Sequence, residues 1–203
     1  MQRIRIKFKK GLEVKFISHL DIIRTFERAI RRAELPVAFS QGFNPRMRIS
    51  WGPPLSIGIE SDCEMSDLYL ESLMDQKKTI ESLNQTLPSG LKILEAKLID
   101  LKEPSLDSSI NRAEYLVEID AENPNGTKLQ IDNILKREKI EVKKKDKIIN
   151  KKPMLYELSL VDGHNIKMVL QVGGKGTLKP KEILDLIDGI EVKSIKRVGL
   201  FVA

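Results

Sequence analysis

The chain has 203 residues, 41% hydrophobic and 32% charged, which is enough apolar material for a buried core and excludes disorder throughout. A single cysteine, Cys63, and two histidines exclude an internal disulfide framework and supply too few ligands for a zinc or iron–sulfur cage within the chain. The net charge of +6 is unevenly spread, at +8 over residues 1–50, −6 over 51–111 and +4 over 112–203, so any affinity for a polyanion is expected in the first fifty residues.

Residues 3–8 alternate Arg-Ile-Arg-Ile-Lys-Phe, the period of a strand with Ile4, Ile6 and Phe8 on one face. After a turn at Lys10-Gly11, Ser18 with Asp21 three residues on reads as a helix start. Leu20, Ile23, Phe26, Ile30 and Ala33 then recur at core spacing until the helix stops before Pro36. An irregular stretch, residues 40–46, leads into a strand over 47–51. Residues 65–73 read as a strand, 79–87 as a helix and 91–101 as a strand, giving the order β-α-β-β-α-β.

Residues 102–111 have the polar, proline-bearing composition of a linker. Beyond them 114–119 reads as a strand, 127–137 as a helix, and 140–149 and 155–161 as strands. Asp162-Gly163 is a hairpin turn into 166–172, Pro180 opens a helix over 181–187, and 191–201 closes with a strand. The expectation is an α+β protein of two tandem ferredoxin-like (βαββαβ) domains with antiparallel sheets, residues 1–101 and 112–203, the second with an extra strand. No apolar run approaches the ~20 residues of a membrane span, and the first residues lack the apolar core of a signal peptide, so the protein is expected in the cytoplasm.

Four groups of residues carry candidate chemistry. Arg24, Arg28 and Arg31 fall at i, i+4 and i+7 with Arg32 beside them, a stripe able to track phosphates or simply a solvated face offset by Glu27 and Glu34. The segment Phe39-Ser40-Gln41-Gly42-Phe43-Asn44-Pro45-Arg46-Met47-Arg48 combines a glycine that permits close approach, hydrogen-bonding Ser40, Gln41 and Asn44, an aromatic, and Arg46 and Arg48. The alternative is a rigid loop with Phe43 plugging the core. His19, just inside a helix N-terminus, is the one candidate general base, though a hydrogen-bonded structural role is the more ordinary fate of a lone histidine; His164 reads as surface. Gly173-Gly174-Lys175-Gly176 runs into a helix but lacks Walker spacing. Lys143, Lys144, Lys145, Lys147, Lys151 and Lys152 either guard a strand edge or form a diffuse basic surface.

The strings Phe16-Ile17-Ser18-His19-Leu20-Asp21, Phe26-Glu27-Arg28-Ala29-Ile30-Arg31-Arg32, Phe39 through Arg46 and Pro53-Pro54-Leu55-Ser56-Ile57-Gly58 resemble the radical-SAM-linked protein family. That is a bacterial domain family of uncharacterised function found beside, or fused to, a radical S-adenosylmethionine enzyme. The match is specific over the first hundred residues and thins in the second half. The resemblance implies a radical S-adenosylmethionine enzyme as partner, with the iron–sulfur cluster and S-adenosylmethionine carried there. The family's gene neighbourhood, with ribosomal proteins and an RNA-processing nuclease, points toward RNA. On this basis the expected role is a non-catalytic accessory module that binds or presents tRNA or rRNA for modification. In it Arg24, Arg28, Arg31, Arg32, Arg46 and Arg48 hold phosphates and Ser40, Gln41, Gly42 and Asn44 form a recognition loop around one pocket. Two alternatives stay open. One is a metal-independent endoribonuclease similar to CRISPR repeat-processing enzymes, with His19 as base; the other is a protein-interaction scaffold docking through the acidic stretch from Glu60 to Asp75.

Overall fold

The computed structural model describes residues 1–144 and 147–202, an α+β chain of mostly antiparallel strands that divides into two compact units, Met1–Ile110 and Asn111–Ala203. The first unit runs β1 (Gln2–Lys10), a 3-10 turn at Leu12–Val14, α1 (His19–Arg32), β2 (Ile49–Trp51), β3 (Glu60–Leu70), α2 (Gln76–Thr86), β4 (Leu91–Ile99) and a single helical turn, α3 (Leu106–Ser109). The alternation in β1 makes it the central strand, antiparallel to β3 on one side and β4 on the other, while β2 pairs with β3 through Ile49 and Leu68. Ile4, Ile6 and Phe8 from β1, Leu68 and Leu70 from β3 and Ile93 from β4 meet Ile22, Phe26 and Ile30 of α1 and Leu83 of α2 in one core.

Ser18 caps α1 as its sequence suggests, its hydroxyl accepting from the Asp21 amide at 3.2 Å. The buried face, however, is Ile22, Phe26, Ala29 and Ile30, not the stripe beginning at Leu20 and Ile23. Both sets fit a 3.6-residue period; the Phe8–Phe26 and Phe26–Trp51 ring contacts, at 4.7 and 5.3 Å, fix which one faces the sheet. Leu20 is left 64% exposed.

The stretch expected to be a polar linker is tied down. Arg3, buried in β1, donates to the carbonyls of Glu103 and Pro104 at 2.6 and 2.7 Å and from Nε to Asp67 of β3 at 2.9 Å, while Arg5 donates to the same carboxylate at 2.8 Å. Leu106 and Ile110 are buried.

The second unit runs β5 (Ile110–Ala121), α4 (Pro124–Lys136), β6 (Glu141–Lys144), β7 (Lys147–Asn150), β8 (Leu155–Leu160), β9 (Asn165–Gln171), α5 (Pro180–Leu184) and β10 (Ile190–Val202). Its strand order is β10-β5-β9-β8, while β6 and β7 form a separate hairpin where one strand over 140–149 was expected. Among the described residues no helix is long and apolar enough to cross a membrane.

Candidate nucleic-acid interface

The candidate loop is a hairpin-like projection hung on the sheet by its backbone. Ala38 donates to the carbonyl of Tyr69 in β3 at 2.7 Å, Tyr69 donates to Arg48 at 3.1 Å, and Arg48 donates back to Ala38 at 2.7 Å. One step out, the Ser40 amide bonds the Arg46 carbonyl at 2.8 Å and the Arg46 amide reaches the Ser40 hydroxyl at 3.0 Å. These bonds close residues 41–45 into a tip, and Gly42, at φ +119°, supplies a conformation an L side chain rarely adopts. Phe43 does not plug the core: it stands fully exposed at the tip. Exposed Gln41 and Asn44 flank it, with no side-chain bond to another described residue.

Between this hairpin and α1 lies an open hollow of about 340 Å³, lined by Leu20, Ile23, Arg24, Glu27 and Arg31 from the helix and by Pro45, Arg46 and Met47 from the hairpin. At about 100° per residue, Leu20, Arg24, Glu27 and Arg31 fall on one stripe, opposite the face that packs on the sheet. Arg24 is held by Asp21, 3.1 Å away, at the exposed start of the helix. The Asp21 carboxyl lies below its usual range because the Ser18 hydroxyl donates to it at 2.6 Å, with Arg24 adding to the effect. The guanidinium groups of Arg31 and Arg46 make no bond with any described residue, so both stay available to an anion. Leu20, Ile23, Pro45 and Met47 are the apolar members of the lining.

The other expected phosphate ligands stand elsewhere. Arg28 is exposed but lies about 60° round the helix from the hollow's stripe, and Arg32, a further ~40° round, donates to the Thr86 carbonyl at the end of α2 at 2.6 Å. Arg48 stacks on Tyr69, 4.8 Å from its ring centre, with Nη1 3.2 Å from the Met1 sulfur. His19 lines a different, interior hollow of about 10 Å³ with Phe8, Lys10, Trp51 and Glu64; that is about the space of one water, and the imidazole stands edge-on to Trp51 at 6.1 Å.

Three further groups singled out in the sequence have structural work. Lys151 is buried and bonded to Glu182 at 2.7 Å, and Lys152 donates to the last carbonyls of α4, so neither belongs to a diffuse basic surface; Lys145 lies outside the described residues. The glycine-rich loop precedes a five-residue helix and is pinned by Gln171, which donates to the Lys175 carbonyl at 3.1 Å. Within the acidic stretch Asp67 is engaged by Arg3 and Arg5 and Glu64 is buried, while Glu71 and Asp75 stay exposed. Two residues stand out only in the structure, Glu27 in the lining of the hollow and Phe43 at the exposed tip. Glu27 sits at i+3 from Arg24 and i−4 from Arg31, a spacing that by itself announces a carboxylate in the basic stripe.

The profile of a family described as an uncharacterised protein conserved in bacteria (DUF2344) matches residues 3–180. No curated protein matches the chain. Among solved structures, a crystal structure of the archaeal box H/ACA sRNP Nop10-Cbf5 complex is similar at a TM-score of 0.42 and 12% identity, covering 97% of this chain and 46% of that one. The chain thus spans about half the length of that structure's chain.

Proposed function

The chain belongs to the bacterial family DUF2344, and for this member we propose a non-catalytic RNA-handling role centred on the hollow between α1 and the hairpin tip. One observation carries the reading: three arginines, Arg24, Arg31 and Arg46, two of them without a partner among the described residues, line one open hollow at the base of a hairpin whose tip carries the fully exposed Phe43. Guanidinium groups grip phosphates bidentately and an exposed ring offers a stacking platform, the pairing used by single-strand binders. Gln41 and Asn44 on the same tip, their side chains bonded to no described residue, offer hydrogen bonds to base edges.

The strand orders β4-β1-β3, with β2 also on β3, and β10-β5-β9-β8 support a ferredoxin-like reading of each unit. The radical S-adenosylmethionine partner rests on the resemblance of the α1 and hairpin motifs. With one buried cysteine in this chain, the cluster and S-adenosylmethionine belong to that partner. An endoribonuclease acting through His19 has less support, because His19 lines a water-sized hollow that none of the candidate arginines lines.

The test is the salt dependence of binding a single-stranded RNA decamer. Three phosphate contacts give a slope of log K against log salt near −2, roughly a 20-fold loss between 50 and 200 mM. The triple variant Arg24→Ala, Arg31→Ala, Arg46→Ala should flatten that slope. An unchanged slope in a folded triple variant overturns the assignment.

A further inference from the structure

Resting on that RNA-binding reading, we infer that the hollow selects an unpaired guanine, with Glu27 accepting from its Watson–Crick edge. A carboxylate among three arginines opposes phosphate binding, and the simplest use for it would be to pair with them. It does not: Glu27 has ideal helical spacing to both Arg24 and Arg31 yet makes no ion pair or hydrogen bond with any described residue, and its two oxygens remain open acceptors among the hollow's lining.

The four bases differ in what they present to such a group. Guanine alone offers two adjacent donors, N1–H and the N2 amino group, matching both carboxylate oxygens. Adenine and cytosine set one amino donor beside a ring nitrogen whose lone pair repels the carboxylate. Uracil flanks its single N–H with two carbonyls. The apolar side chains in the lining, Leu20, Ile23, Pro45 and Met47, suit the flat face of a base, and about 340 Å³ lies at the lower end of small-ligand clefts of about 300–1,000 Å³. Arg24, Arg31 and Arg46, which share the lining with Glu27, then hold the flanking phosphates. Phe43, three residues from Arg46 and so within about 10 Å along the chain, is placed to stack the neighbouring base. In a duplex the same guanine edge is already paired, so the site reads only unpaired strands.

The experiment compares oligouridine decamers carrying one central guanosine, inosine or adenosine, by fluorescence anisotropy. The wild-type protein should bind the guanosine strand about 10-fold more tightly than the adenosine strand, the scale of a bidentate base contact, with inosine, which lacks the N2 amino group, between them. Glu27→Ala should bring the guanosine-to-adenosine ratio near one while leaving adenosine binding unchanged or tighter, since a negative charge has gone. Glu27→Gln, which keeps the volume but exchanges an acceptor for a donor, should reduce the ratio likewise. A ratio preserved in either variant, or an equal loss on every strand, overturns the inference; the latter would make Glu27 a positioning residue for the arginines. Salt-dependent binding with no guanosine preference in the wild-type protein sinks this inference alone. The absence of salt-dependent binding to any strand sinks the RNA reading as well.

Discussion

Asp67→Asn is the sharpest test of how the first unit is held together. Asp67 is fully buried and accepts from four guanidinium nitrogens, Nε and Nη2 of Arg3 and Nε and Nη2 of Arg5. This pairing raises the pKa of Arg5, chiefly through the hydrogen bond to Asp67. Asparagine keeps one acceptor oxygen and no charge, so the variant loses part of the bonding and leaves two cations adjacent, one of them without access to water. Removing one partner of a buried ion pair costs about 3–5 kcal/mol, a large fraction of the ~5–15 kcal/mol that holds a typical protein folded. At roughly 2–4 °C per kcal/mol for a chain of this size, the melting temperature should fall by about 6–20 °C. Urea unfolding gives the free energy directly, and amide exchange over residues 100–103 should accelerate as Arg3 loosens its hold on the Glu103 and Pro104 carbonyls. A loss below about 1 kcal/mol with unchanged exchange in that segment would refute the argument that this trio is a buried clamp.

Other outcomes follow from the same geometry. Phe43→Ala should weaken single-stranded RNA binding by about 5- to 150-fold, the range of ~1–3 kcal/mol for one stacked base, with no change in melting, because the ring touches no core; an unaltered affinity would remove it from the interface. Leu83→Ala should cost about 2–5 kcal/mol in denaturant unfolding, since the side chain is wholly buried beneath α2. Ser18→Ala should cost about 1 kcal/mol through the lost helix cap, read as a lower urea midpoint. Asp21 has a lowered pKa in the folded protein, so its contribution is present above the unfolded carboxyl pKa and fades as pH falls through the folded value. Asp21→Asn should therefore flatten the acid limb of the stability profile, and an identical limb would contradict the cap geometry.

The local alphabet of the fold was legible wherever one physical signal stood alone. The Arg-Ile alternation marks β1, Ser18 marks the start of α1 and Pro180 opens a helix, whereas α4 begins at Pro124, three residues before the start expected at 127. β3 begins at Glu60, earlier than its apolar pattern suggests, because the buried positions there are Ser61, Cys63 and Glu64, and polar residues hide a buried face from any hydropathy reading. α1 carries two overlapping apolar stripes, and only the aromatic partners Phe8 and Trp51 decide between them. The site was half legible for a related reason. Spacing puts Arg24, Arg28 and Arg31 on one side of a helix, but a stripe is wide, and where the hairpin crosses it decides that Arg24, Glu27 and Arg31 face the hollow while Arg28 and Arg32 turn away. The Arg3 clamp on residues 100–104 joins positions a hundred residues apart and has no local signature.

The hairpin hangs on β3 through the main-chain bonds of Ala38 and Arg48 and the stacking of Arg48 on Tyr69, and among the described residues no side chain from Gln41 to Asn44 makes a hydrogen bond or ion pair that holds the tip. Mutation there is therefore decoupled from folding: the lineage can exchange what the tip recognises while the scaffold keeps its stability, and an experimenter can do the same. A photoreactive amino acid in place of Phe43 would project into solvent without disturbing the fold and would covalently mark whatever molecule settles against this face in a living cell.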